Sequence, residues 1–177
     1  MRHSLKFTAA FLFSILVRLI PFRPANVEPL MGTLMPFGSK FNVFSNVALT
    51  MGSMLIYDKL TAFGSWSWET AITYGIVAAA ASLYFKRFTP SRTHYAGFAV
   101  VATLFYDFVT GPLLPSLLHN GNFTTLAVAQ IPFTISHLCG NVIVAVVLSP
   151  IIQKYIVENP NWEFSFNPVK DTKKSAA

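Results

Sequence analysis

Six apolar runs take up most of this chain, and proline, glycine or basic residues separate them. A helix needs about 20 apolar residues to cross the hydrocarbon core of a bilayer. Only 11% of the 177 residues are charged, whereas soluble domains carry about 25%. So few charges cannot cover the surface of a soluble protein, so we expect lipid to solvate much of the chain. The sequence predicts an all-α membrane protein with six transmembrane helices, at 6–20, 27–41, 42–57, 68–85, 95–114 and 124–155.

All six helices are expected to form one domain over residues 1–155. The polar remainder, 156–177, is expected to be a disordered cytoplasmic tail. The basic start of the first run resembles a signal peptide, but Pro21, between Arg18 and Arg23, stands where small cleavage-site residues would be needed. We therefore expect the first helix to be retained.

The distribution of Lys and Arg orients this bundle, because cytoplasmic loops of membrane proteins are enriched in both. With six spans the termini share a side, and that side holds ten of the 13 basic residues. The opposite side holds only Arg23 and Lys59, with Arg18 near the outer end of the first helix. Both termini are therefore predicted to be cytoplasmic, in the plasma membrane. The ten residues are Arg2, Lys6, Lys40, Lys86, Arg87, Arg92, Lys154, Lys170, Lys173 and Lys174.

Acidic residues gather in the outer half of the predicted bundle, and Asp107 is the most informative of them. It lies about twelve residues into the fifth predicted helix, or roughly 18 Å along it, just outside the midplane. A charge near the bilayer centre costs about 2.5–3.5 kcal/mol on insertion scales, so it normally faces a partner or a cavity. Asp107 therefore contacts a substrate, forms a salt bridge with Arg18, or does both. The outer acidic residues are Glu28, Asp58, Glu69 and Asp107.

Polar side chains recur at helical spacing on three predicted helices. They either line a polar cavity that opens outward or make hydrogen bonds within the bundle core. Three such stripes favour the cavity, since a dry bundle needs few polar contacts. The stripes are Asn46, Thr50, Ser53 and Tyr57; Thr103, Tyr106, Asp107 and Thr110; and Gln130, Thr134, His137 and Asn141.

Features near the membrane surfaces each allow two interpretations. Trp66 and Trp68 are typical of an aromatic belt at the interface, or they stack on a planar ligand. The proline-rich segment 21–29 is a connector or a lid over the cavity. Ala10 and Ser14 form a small-xxx-small pair, which is either the small face common in any helix bundle or a surface where a partner membrane subunit docks closely.

Catalytic chemistry is not expected. No zinc-protease, serine-hydrolase or phosphate-binding motif occurs, so neither an enzyme nor a cofactor is predicted. His137 is interpreted as a hydrogen-bonding residue rather than a metal ligand. The basic residues are scattered between apolar runs, which is not typical of a nucleic-acid-binding surface.

Several short patterns between residues 7 and 155 carry a family resemblance. They are Arg18-Leu19-Ile20-Pro21, Asn26-Val27-Glu28-Pro29 with the glycines that follow, Tyr57-Asp58, Gln130 to His137 with Asn141, and Leu148-Ser149-Pro150. With these patterns the chain resembles the substrate-binding S components of energy-coupling factor (ECF) transporters, which are bacterial importers of vitamins and micronutrients.

The resemblance implies six helices and a substrate pocket near the outer face, formed mainly by the last three helices with a gating first loop. It also implies a transmembrane coupling subunit, which docks through small residues of the first helix, and two ATPase subunits. Cobalt- and nickel-binding members begin Met-His, whereas this chain begins Met1-Arg2-His3, so a metal is not the expected cargo. The residues assigned to the pocket are Asn26, Glu28, Trp68, Tyr74, Asp107, Gln130, His137 and Asn141.

The leading hypothesis is a binding subunit for a small water-soluble nutrient within an ATP-driven importer. The alternative is a small membrane scaffold or assembly protein whose polar stripes serve only helix packing. A secondary transporter is less favoured, because no internal repeat with paired broken helices is visible.

Overall fold

The computed structural model describes residues 4–20 and 28–162, and 88% of these residues are helical, with no strand among them. The predicted all-α class is confirmed, and the described ranges contain six main helices. The candidate residue Asn26, most of the proline-rich loop and the tail from residue 163 lie outside these ranges. The helices are α1 (Ser4–Arg18), α2 (Pro29–Lys40), α3 (Val43–Thr61), α4 (Ser65–Arg87), α5 (Arg92–Leu118) and α6 (Phe123–Val157).

Helix α5 runs past the residues that were expected to end it. Gly111 and Pro112 lie in a π-helical turn, Val109–Leu113, and the helix continues to Leu118. A wider turn accommodates a proline, which has no N–H group for the ladder of helix hydrogen bonds. The predicted end at residue 114 is therefore wrong, and α5 is one turn longer.

Helix α2 lies at the centre of the bundle, where Leu30, Leu34 and Phe37 are fully buried. It packs mainly against α4 and α6, while α1 contributes Phe7, whose ring lies 5.3 Å from that of Phe37. Its 12 residues extend for about 18 Å, which is less than the roughly 30 Å of a bilayer core. The N-terminus of α2 therefore lies partway along the longer helices around it.

Connections of two to four residues join α2 to α3, α3 to α4, α4 to α5 and α5 to α6, so these helices alternate in direction between the two ends of the bundle. The first end, called the basic end, holds the start of α1, where the Lys6 Nζ donates to the Val157 carbonyl at 2.8 Å. At the second end, called the acidic end, His119 Nε2 lies 2.7 Å from Glu69 Oε1. These contacts bring together chain positions far apart in sequence.

Between the two ends, the polar stripe on α3 makes hydrogen bonds within the bundle. The Asn46 side-chain nitrogen lies within 3.1 Å of the Leu34 and Ala78 carbonyl oxygens and of Ser82 Oγ. The Thr50 hydroxyl donates to the Asn46 carbonyl at 2.8 Å, and Ser53 donates to Thr50 in the same way. Asn46 thus links α3 to α2 and α4. This part of the stripe fits the packing interpretation rather than the cavity interpretation.

Ala10 and Ser14 face the interior of the bundle and are buried. They therefore cannot form the predicted docking surface, because α1 turns its larger residues outward instead. Leu12 and Leu16 are exposed on that outer face. The small pair lets α1 pack closely against its own neighbours.

Large apolar side chains are exposed on the outside of the bundle; Phe44, for example, is 81% exposed. By length and composition, α5 and α6 are the two described helices that could each cross a membrane, with mean hydropathies of 1.5 and 2.0. These two helices give coarse support to the prediction of a membrane protein.

Candidate functional site

Ionisable side chains from across the bundle converge at the acidic end, beside the N-terminus of α2. Hydrogen bonds, an ion pair, ring contacts and electrostatic interactions connect them. We call this group the charge cluster. Its members are Arg18 of α1, Glu28 at the start of α2, Asp58 of α3, Tyr74 of α4, Tyr106 and Asp107 of α5, and His137 of α6.

Asp107 and His137 form the best-defined pair of the cluster. Nδ1 of His137 lies 2.7 Å from Oδ1 of Asp107, and the two residues are only 2% and 1% exposed. The rings of Tyr106 and Phe133 pack edge-on against the imidazole, with centroids at 5.9 and 5.3 Å. The second carboxylate oxygen of Asp107, Oδ2, has no hydrogen-bond partner among the described residues.

Asp107 is paired with His137 and Arg18 with Glu28, so the alternative of an Arg18–Asp107 salt bridge is wrong. Nε of Arg18 lies 3.3 Å from Oε2 of Glu28, and its guanidinium carbon lies 4.1 Å from the centroid of the Tyr57 ring. Its Nη1 lies 2.8 Å from the sulfur of Met54. Because α1 packs on α3 and α2, the arginine is held there, whereas α5 pairs with α6.

Asp58 contributes a further buried carboxyl group near the end of α3. The Ser67 hydroxyl at the start of α4 donates a hydrogen bond to it, and Arg18 and Glu28 interact with it electrostatically. Its Oδ2 has no hydrogen-bond partner among the described residues. The α3–α4 turn thus directs a carboxylate inward, next to the Arg18–Glu28 pair.

Tyr74 and Tyr106 form an aromatic wall of the cluster, with ring centroids 4.4 Å apart. Tyr74 is 1% exposed, and its hydroxyl has no hydrogen-bond partner within the described chain. Glu28 and Asp107 are among its electrostatic neighbours. A buried hydroxyl among carboxylates therefore completes the site.

Asn141 was assigned to a pocket near the outer face, but it lies deeper in the bundle than His137. Its amide donates to the Thr103 hydroxyl at 2.9 Å and so joins α6 to α5. Asn141 is fully buried, about one helical turn from His137. It forms the interhelical bond beneath the Asp107–His137 pair.

Two further candidates lie outside the cluster. Trp68 is 52% exposed, and its ring packs edge-on against Phe63. Gln130 is partly exposed and packs so closely on Gly111 that a Cβ there would lie 2.5 Å from its side chain. The structure therefore brings Glu28, Tyr74, Asp107 and His137 together, and it leaves Trp68 and Gln130 at the periphery.

The candidate set did not include three members of the cluster, Arg18, Asp58 and Tyr106. Each carried a readable signal: Arg18 and Asp58 are charges in the outer half, and Tyr106 is on the Asp107 stripe. Arg18 was considered only as a partner. Asp58 was named only among the outer acidic residues and in the Tyr57-Asp58 pattern.

The cluster has more acidic than basic groups. Among the described residues it contains three carboxyl groups and one guanidinium, with His137 able to add one positive charge. Buried charges without compensation are costly in a bundle interior. The positive end of the α2 dipole lies beside Glu28 and favours carboxylates there. No three His, Cys, Asp or Glu side chains of the described residues are placed to hold one metal ion.

Comparison with protein-family models, with curated proteins and with solved structures found no match to this chain.

Proposed function

We propose that this chain is the substrate-binding S component of an ECF-type importer and that it binds a small water-soluble nutrient in the charge cluster. The observation that carries the proposal is the concentration of buried oxygen atoms without partners in the charge cluster. Asn46 has three hydrogen-bond acceptors within 3.1 Å of its Nδ2 and leaves only its Oδ1 without a partner, whereas Asp58, Tyr74 and Asp107 of the cluster each keep a buried oxygen without a partner among the described residues. Such atoms in a buried site are typical of a ligand-binding pocket.

The surface of the bundle supports a membrane setting with six helices. Exposed Phe, Leu, Ile and Val side chains occur on α1, α3, α4, α5 and α6, while the ionised groups of the cluster point inward. Water would oppose this distribution, and hydrocarbon favours it. In this proposal the acidic end faces outward, the basic end faces the cytoplasm, and lipid covers the apolar surface.

The proposed partners follow from what the sequence does not supply. No nucleotide-binding motif is present, so the energy for transport would come from two ATPase subunits through a transmembrane coupling subunit. The bound nutrient would be delivered inward when this subunit topples within the complex. The chain itself binds its substrate and catalyses no reaction.

Thermal-shift screening of the purified full chain against water-soluble vitamins and their precursors tests the binding function. We expect at least one compound to raise the melting temperature in a saturable way, because ligand that binds only the native state stabilises it. A coupling subunit should also co-purify from the native membrane. If no compound stabilises the chain and no such subunit co-purifies, the proposal fails.

A membrane scaffold is the second candidate, favoured by the extensive hydrogen bonding around Asn46. Asp107→Asn separates the two functions, because an asparagine oxygen can still accept from His137 while the charge is lost. Loss of ligand binding with an unchanged melting temperature supports the importer subunit. A lower melting temperature as the sole effect supports the scaffold.

A further inference from the structure

Asp58 Oδ2, Asp107 Oδ2 and Tyr74 Oη are buried oxygen atoms of the charge cluster without hydrogen-bond partners within the described residues, and Asp107 and Tyr74 are neighbours. These two side chains are 1% exposed and interact with each other electrostatically. A buried polar atom without a hydrogen bond is unfavourable, so proteins rarely keep one without a use for it. A carboxylate oxygen can only accept, and a tyrosine oxygen accepts readily. Together they are suited to a ligand that donates hydrogen bonds.

The charge of the cluster indicates the sign of that ligand. Arg18 pairs with Glu28 at 3.3 Å, which leaves Asp58 and Asp107 to be balanced by His137 and by the N-terminus of α2. A helix N-terminus supplies about half a positive charge, and a protonated His137 supplies one. With each carboxyl group counted as ionised, the cluster is negative over its described residues in either protonation state of His137, so a cation is the complementary ligand.

The walls of the cluster favour an organic cation over a metal ion. No three ligating side chains converge among the described residues, whereas the Tyr74 and Tyr106 rings lie side by side with centroids 4.4 Å apart. Aromatic faces attract organic cations and pack on carbon skeletons. A metal ion would need several oxygen or nitrogen ligands at short range instead.

We propose that the ligand is a small organic cation with N–H bonds on its charged nitrogen, and that Asp107 and Tyr74 accept those N–H groups. This inference rests on the proposed binding function and specifies its substrate class. Tyr106 flanks the ligand, and His137 fixes Asp107 through its other oxygen.

A head-group series tests the class directly. Ethanolamine, ethylene glycol, choline and glycolate are added to the purified full chain, together with vitamins and amines grouped by charge at pH 7. We expect the stabilising compounds to be cations with N–H groups, with ethanolamine above ethylene glycol and glycolate. Choline should be weaker, because its quaternary nitrogen donates no hydrogen bond.

The outcomes separate the two proposals. If glycolate or ethylene glycol stabilises the chain as much as ethanolamine, or if only neutral or anionic vitamins do, the substrate class is wrong and the binding function stands. If no solute stabilises the chain, the substrate class is wrong, and the binding function fails with it when no coupling subunit co-purifies.

Tyr74→Phe is the sharpest variant, since it removes only a hydroxyl that has no partner among the described residues. Its melting temperature without ligand should be unchanged or higher, while its affinity for the best amine should fall about tenfold. The Asp107→Asn variant should lose more affinity for the same amine than Tyr74→Phe does. Glu69→Gln, at the rim beside His119, makes the same charge change outside the cluster and should bind normally. Unchanged affinity of Tyr74→Phe, or an equal loss in Glu69→Gln, overturns the assignment.

Discussion

At the scale of single residues, two carboxyl groups of the charge cluster are paired with neighbours on adjacent helices. Asp107 has the imidazole of His137 at 2.7 Å, and Glu28 has the guanidinium of Arg18 at 3.3 Å. Removing one member of such a pair leaves a charge in a medium that solvates it poorly. Replacing His137 or Arg18 should therefore lower the free energy of unfolding by more than the loss of its packing contacts alone.

His137→Leu tests this reasoning, because leucine fills the space and leaves Asp107 unpaired. We expect the free energy of unfolding to fall by about 3–5 kcal/mol, as for other broken buried pairs. Thermal melting of the purified variant gives the direction, and denaturant titration gives the size. Adding Asp107→Asn to His137→Leu should recover much of the loss, since the amide is neutral. An unchanged melting temperature in the single variant would contradict the pairing.

Residue-level prediction succeeded where a single side chain determines the outcome and failed where a neighbouring helix does. A charge at Asp107 in an apolar run needs a partner or cavity, whatever the arrangement of the helices. Its partner depends on which helices touch, and α5 packs on α6 rather than on α1. Helical spacing orders residues within one helix and carries no information on that choice. For the same reason the inward orientation of Ala10 and Ser14 was not foreseen.

At the scale of elements, the central helix α2 depends on close contact with α4. A Cβ added at Gly38 would lie 3.0 Å from the backbone of Ser82. Gly38→Ala should therefore push the two helices apart and cost about 1–3 kcal/mol of stability, measured by thermal or denaturant unfolding. Gly97→Ala is the matched control, because a Cβ there meets nothing within 4 Å and alanine favours a helix. Equal effects of the two substitutions would argue against the close contact.

The existence of the six helices was predictable, while their ends were less so. Apolar runs bounded by breakers identify a helix because its core-facing or lipid-facing residues must be apolar. Gly111 and Pro112 lie just before the predicted end of the fifth helix at residue 114, but the π-helical turn Val109–Leu113 accommodates them and the helix continues. Packing of α5 against α6 through the Gly111–Gln130 contact favours continuation. The expectation that proline ends a helix considers only neighbouring residues in sequence, so it could not include this contact between α5 and α6.

At the scale of the whole molecule, charge is distributed unequally between the two ends of the bundle. Described basic residues near the basic end include Lys40, Arg87 and Lys154, while Asp58 and Glu69 belong to the acidic end. Sequence predicted this separation, because each apolar run reverses the direction of the chain. The same separation puts the charge cluster at one end only. Ligand access is therefore expected from one side of the membrane.

Cysteine labelling in intact cells tests which side that is. In a Cys139→Ser background, Lys59→Cys places a thiol at the acidic end and Arg87→Cys places one at the basic end, and both parent residues are exposed. A membrane-impermeant maleimide should label only Lys59→Cys until the cells are permeabilised, because the basic end is expected in the cytoplasm. The reverse pattern would place the cluster on the cytoplasmic side, which is incompatible with an importer that captures its substrate outside. Labelling of neither position before permeabilisation would contradict the outward exposure of the acidic end, and with it the proposed route of the ligand.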